Sequence, residues 1–125
     1  MKYVAIIVLS LIWSVPSFAQ HSHGSQKGPN GGQMEDVAGV DAELVTSGST
    51  IMINIFDEGK KPISTKGFTG AALIVMGAGR ETVTLAPSGE NALKGEAKAP
   101  IAPGATLTLT IKTADGKSGQ AKFKK

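Results

Sequence analysis

Residues 106–113 read Thr-Leu-Thr-Leu-Thr-Ile-Lys-Thr, an alternation of apolar and polar side chains with a period of two. Successive side chains of a strand point to opposite faces, so this pattern predicts a half-buried β-strand and excludes an amphipathic helix. The same texture recurs along the chain. Residues 40–44 alternate apolar and acidic, and Ile51, Ile53 and Ile55 share one face of residues 51–56. Residues 71–76 form a continuous apolar run suited to a central strand, and residues 81–85 bring Val83 and Leu85 inward. Residues 91–97 and 120–124 supply two more strands, the last with Phe123 inward and Lys122 and Lys124 outward. Turn residues separate these runs: Ser47-Gly48, Asp57-Glu58-Gly59-Lys60, Gly77-Ala78-Gly79, Pro87-Ser88-Gly89 and Asp115-Gly116. Asp-Gly between alternating segments is a two-residue hairpin signal. About seven short strands with frequent turns and no helical periodicity predict an all-β fold, an antiparallel immunoglobulin-like β-sandwich, with a small closed barrel as the alternative.

The first 19 residues follow a different rule. Lys2 gives a positive start, residues 4–15 are apolar apart from Ser10 and Ser14, and Pro16 breaks the run. Ser17 and Ala19 place small residues at the −3 and −1 positions of a cleavage site. This is the pattern of a secretory signal peptide, residues 1–19, and predicts a periplasmic or secreted protein. The apolar run is well short of the roughly 20 residues a membrane-spanning helix needs, and with no Cys near the cleavage site a lipoprotein anchor is excluded. Removing 19 residues from 125 leaves 106, and the only Trp and Tyr depart with them. Phe56, Phe68 and Phe123 remain as the aromatics of a core otherwise built from Val, Ile, Leu and Ala.

Composition removes several kinds of chemistry. With no Cys, thiolate nucleophiles, disulfides and Cys-based zinc sites are excluded. Of 13 Lys and Arg, Lys2 leaves with the signal, so 12 remain against 10 Asp and Glu. Lys122, Lys124 and Lys125 form the one basic cluster, which reads as a solvated tail. Arg80 is the single arginine, so neither the basic patch nor the stacking aromatics of a nucleic-acid surface is present. The mature chain has two histidines, His21 and His23, both in the polar, glycine-rich leader of residues 20–33. That leader buries no large apolar side chain and is expected to stay loose unless a ligand orders it, ahead of a domain at residues 34–125. Catalysis needs groups held on a rigid scaffold. Neither histidine meets that requirement, Glu35-Asp36 and Asp57-Glu58 read as solvated turn pairs, and a non-enzymatic protein is expected.

The histidines point instead to a metal. Imidazole suits Cu(II), Zn(II) and Ni(II), and a free amino terminus with a backbone amide and a nearby imidazole makes a square-planar nitrogen site. Cleavage after Ala19 places His21 second, and cleavage one residue later places His21 first and His23 third. Cyclisation of Gln20 would block the amine. Thioethers favour Cu(I), which adds Met34, at the edge of the leader, as a soft third ligand. Met52 and Met76 read as core filler. Within the leader, Pro29-Asn30-Gly31-Gly32 allows a tight turn with positive φ at glycine. It lacks the Lys-Ser/Thr pair of a phosphate loop.

His23-Gly24, residues 28–33 (Gly-Pro-Asn-Gly-Gly-Gln), residues 40–44, the run from Ile55 through Asp57-Glu58-Gly59-Lys60-Lys61-Pro62 to Ile63, and Ala114-Asp115-Gly116-Lys117 together form a pattern. It resembles the N-terminal β-domain of periplasmic adaptor subunits of heavy-metal efflux pumps, of the cobalt–zinc–cadmium and copper–silver kind. The resemblance runs from about His23 to Phe123 and implies an exported β-sandwich concerned with transition metals. Asn30 stands where that family's segment carries a second histidine. The helical-hairpin, lipoyl-like and barrel domains of an adaptor are not in this sequence, so the expected role is a free carrier, sensor or accessory factor. The sequence thus predicts a small periplasmic metal-binding or efflux-accessory protein. Copper is the first choice of ion, zinc and nickel follow, His21, His23 and Met34 are the ligands, and a metal-efflux system is the partner. The alternative is an envelope interaction module that binds a protein through a sheet edge and has no metal role.

Overall fold

The computed structural model describes residues 26–125, and every regular element in them is a β-strand. In chain order these are β1 (Gln26–Lys27), β2 (Gln33–Val37), β3 (Val40–Ser47), β4 (Thr50–Phe56), β5 (Thr69–Met76), β6 (Gly79–Ser88), β7 (Ala92–Glu96), β8 (Thr106–Lys112) and β9 (Ser118–Lys124). All neighbours are antiparallel, in the order β1-β2-β3-β4-β7-β6-β5-β8-β9. The strands expected from alternation are present. The two additional ones, β1 and β2, lie at the N-terminal side. Residues 26–33, expected to be loose for want of apolar side chains, are instead held by backbone pairing and by one buried carboxylate described below. The proposed signal segment 1–19 and residues 20–25 lie outside the described residues.

The sheet curls into a half-barrel, and β6 carries the curl. Through Leu85 it pairs with β5, and from Ala86 onward it pairs with β7. Pro87 lies past the last β5 pair, so its missing N–H costs nothing on that side. This takes β6 beyond the turn expected at Pro87-Ser88-Gly89. The curl brings the inward residues of β2 to β9 onto one core. Ile51, Ile53 and Ile55 of β4 meet Leu107, Leu109 and Ile111 of β8, with Ile74, Leu93 and Phe123 among them. Each is almost fully buried, and each aliphatic or aromatic side chain contributes about 1.5–3 kcal/mol of apolar transfer.

The two ends of the sheet also meet. Lys124 N donates to Gln33 Oε1 (3.1 Å), and a β-carbon on Gly119 would lie 2.6 Å from Ala38 N. β9 therefore runs beside β2 with no ladder between them, held by a side-chain cap and by the absence of a side chain at residue 119.

Candidate functional site

The N-terminal hairpin is built around a single acidic side chain. Gly28 N donates to Gly32 O (2.7 Å) and Gly31 N to Gly28 O (2.9 Å), closing a turn with Pro29 and Asn30 at its corners. Gly31 follows at φ +79°, a left-handed conformation that glycine adopts without penalty. Glu43 sits on β3 opposite Met34 of β2, so its side chain points away from the core that Ala42 and Leu44 enter. It is nevertheless fully buried (0 % exposed), because the turn folds over it. Its carboxylate accepts from Asn30 N (2.8 Å), Asn30 Nδ2 (2.8 Å) and Gly32 N (2.9 Å). A buried carboxylate is costly unless donors surround it, and these three meet that need. The fit requires glycines. A β-carbon at Gly28 would collide with the Glu43 carboxylate, and one at Gly32 with the Leu44 carbonyl.

Next to this hairpin lies a cleft of about 370 Å³ lined by Gln26, Asp36, Gly39, Val40, Asp41 and Glu58. Its acids are assembled by register. Ala38 and Gly39 make the two-residue turn between β2 and β3, both with positive φ (51° and 81°), and this sets Asp36 directly across from Asp41. Glu58 arrives from the turn after β4. The Asp41 carboxyl is pushed up from the ordinary 3.8 to about 6. Partial burial is the largest cause, followed by its hydrogen bond with Asp36 and repulsion from Asp36 and Glu58, while Lys60 offsets part of the rise. Like charges placed opposite each other on a sheet are destabilising, so the cleft stores an unmet preference for positive charge.

The cleft also marks where the chain enters the described region. Gln26 lines it and follows His23 by three residues and His21 by five. His21 and His23 themselves lie outside the described residues. Met34 is 6 % exposed, on β2 between Gln26 and Glu43, so its thioether reaches a ligand only if β1 lifts away. Met52 is half-buried on β4, and Met76 Sδ accepts from Ala102 N (3.5 Å), which ties down the 100–104 loop. Among the described residues no three His, Cys, Asp or Glu side chains are arranged to hold a metal ion by themselves. No buried side-chain polar atom among them is left without a partner.

Two features of this end of the sheet are hidden in the sequence. Glu35-Asp36 reads as a solvated turn pair, whereas both residues belong to β2 and Asp36 faces Asp41. The signal was a two-residue turn at Ala38-Gly39 flanked by Val37 and Val40, obscured because alanine seldom adopts positive φ. Glu43 reads as the wet face of an alternating strand, and nothing local shows that a glycine turn covers it. The chain matches no known protein-family model, no curated protein and no solved structure.

Proposed function

We propose that this is a small exported protein, without catalytic activity, that binds a transition-metal ion and serves metal efflux or resistance as an accessory factor. One observation carries the reading: β1, which follows His21 and His23 in the chain, begins at Gln26, on the wall of the Asp36–Asp41–Glu58 cleft. An extended chain covers about 3.3–3.6 Å per residue, so His23 lies within about 11 Å of Gln26 and His21 within about 18 Å. Imidazole nitrogens and carboxylate oxygens brought together form a mixed donor set for Cu(II) first, then Ni(II) or Zn(II). A cation there also offsets the repulsion that Asp36 and Glu58 exert on Asp41. Met34 would add a soft ligand for Cu(I) once the hairpin opens. The similarity of the sequence pattern to efflux adaptor β-domains, and the export signal read at residues 1–19, support the assignment to the envelope.

The finer architecture belongs to the same proposal. We read the curled sheet as an immunoglobulin-like sandwich, with β1, β2, β3, β4 and β7 in one layer and β6, β5, β8 and β9 in the other, joined where β6 changes partner. The strand order and the interior shared by β4 and β8 support this.

Calorimetric titration of the chain beginning at Gln20 with Cu(II), Ni(II) and Zn(II) tests the function. His21→Ala/His23→Ala is expected to lose at least tenfold in affinity, and Asp36→Asn/Asp41→Asn a smaller but measurable part. Affinity that survives the histidine replacements overturns the proposal.

A further inference from the structure

The outer face of the β6-β5-β8-β9 half of the sheet carries a charge pattern that the metal reading does not use. The register lays it out in rows: Arg80, Val75, Thr106 and Lys124, then Thr82, Leu73, Thr108 and Lys122, then Thr84, Ala71, Thr110 and Gln120. Thr69, Lys112 and Ser118 complete the end of the face. Arg80, Lys112, Lys122 and Lys124 are exposed on it, and not one outward position of these four strands holds a carboxylate. Glu81, the acid within β6, falls on the opposite parity and accepts from Lys98 N (2.8 Å). Lys122 and Lys124, read from the sequence as part of a basic tail, are thus fixed on β9. Lys125 is turned away, its Nζ donating to Ile101 O.

The centre of the face is not charged. Ala71, Leu73 and Val75 of β5 form a half-buried aliphatic stripe, with Thr82 and Thr84 on one side and Thr106, Thr108 and Thr110 on the other. With strands about 4.8 Å apart and same-face residues about 6.8 Å apart, the patch measures roughly 15 by 20 Å.

We infer that this face docks the protein onto an anionic lipid surface. The charge is complementary: four cations with no acid among them meet a layer of phosphate headgroups. The aliphatic stripe and the threonine hydroxyls suit the zone where headgroups meet acyl chains, and the long lysine stems let ammonium groups reach outward from a flat sheet. Other occupants fit less well. A nucleic-acid strand requires stacking aromatics, which the face lacks. The core of a protein interface is enriched in aromatic residues and arginine and depleted of lysine, the reverse of this face.

Sedimentation with vesicles tests it, using the chain from Gln20 onward in EDTA, which removes any metal-dependent contribution. Binding is expected to vesicles of phosphatidylcholine with phosphatidylglycerol, not to phosphatidylcholine alone, and to be released by 0.5 M salt. Lys112→Gln/Lys122→Gln/Lys124→Gln is expected to lose roughly fivefold per cation, on the order of a hundredfold together. Lys60→Gln/Lys61→Gln/Lys66→Gln changes net charge equally but lies off this face, and should retain most of the binding. Equal binding to both vesicle types, or equal losses from the two triple variants, overturns the inference. Tighter binding to dextran sulfate than to the phosphatidylglycerol vesicles, lost in the same Lys112, Lys122 and Lys124 variant, also overturns it, assigning the face to an anionic polymer.

Discussion

At the scale of single residues, two acids with opposite surroundings define the N-terminal end. Glu43 has three donors aimed at it, and Asp41 has two other carboxylates. Removing the first should be costly. Glu43→Ala is expected to lose about 3 kcal/mol in urea denaturation, because Asn30 and Gly32 lose a charged acceptor and the turn loses its anchor. Gly28→Ala should approach the same loss by forcing that carboxylate out of place. The second acid should behave in reverse. The folded state raises Asp41 from 3.8 to about 6, so it binds the proton more tightly than the unfolded chain does. That contribution is fully present below about pH 4 and is lost as pH rises through about 6. Asp41→Asn is therefore expected to be more stable than the wild type at pH 7.5, by about 1 kcal/mol after allowance for solvent screening. The gain should vanish near pH 4 in a series of thermal melts. Neither environment was legible from the residues alone. Each depends on a partner brought across a hairpin, Asn30 and Gly32 for Glu43 and Asp36 for Asp41.

At the scale of elements, three of the turns share one geometry with unequal chemistry. Gly31, Lys60 and Gly116 each occupy the left-handed position of a loop closed by two backbone bonds, at φ +79°, +62° and +88°. Two are glycines, and the third is a lysine that pays steric strain for the same conformation. Lys60→Gly is expected to raise stability by about 0.5 kcal/mol and Gly31→Ala to lower it by about 1 kcal/mol, both read as shifts in melting temperature. A β-carbon at Gly31 touches nothing within 4 Å, so its cost is purely conformational. These loops also show what local sequence reveals. Asp115-Gly116 does mark the β8–β9 hairpin, but the loop closes between Thr113 and Lys117, with Thr113 Oγ1 donating to Asp115 Oδ1. The glycine therefore follows the turn's corners instead of forming one of them. Turn location was legible because glycine punctuates the alternation. Turn type was not, because it depends on which backbone bonds the flanking strands form.

At the scale of the molecule, alternation was enough to predict an antiparallel all-β chain with Ile51, Ile53, Ile55, Leu107, Leu109, Ile111 and Phe123 facing inward, since burial on one face of a strand imposes that period. It could not show how the sheet closes. That depends on β6 changing partners after Leu85, and on a glycine at 119 that lets β9 pass close to the β2–β3 turn. The proposed metal site was legible in the sequence as His21, His23 and Met34, and its carboxylates come together only once β2 and β3 are in register and Glu58 follows β4. The proposed function therefore requires the histidine segment and the acidic cleft to act together. Sub-stoichiometric Cu(II) added to the isotope-labelled chain beginning at Gln20, followed by paramagnetic broadening of its amide resonances, measures this directly. Gln26, Gly39, Val40 and Asp41 are expected to broaden with the first additions, together with His21 and His23. Broadening confined to residues 20–25, or spread over the surface without a centre, would contradict the proposal.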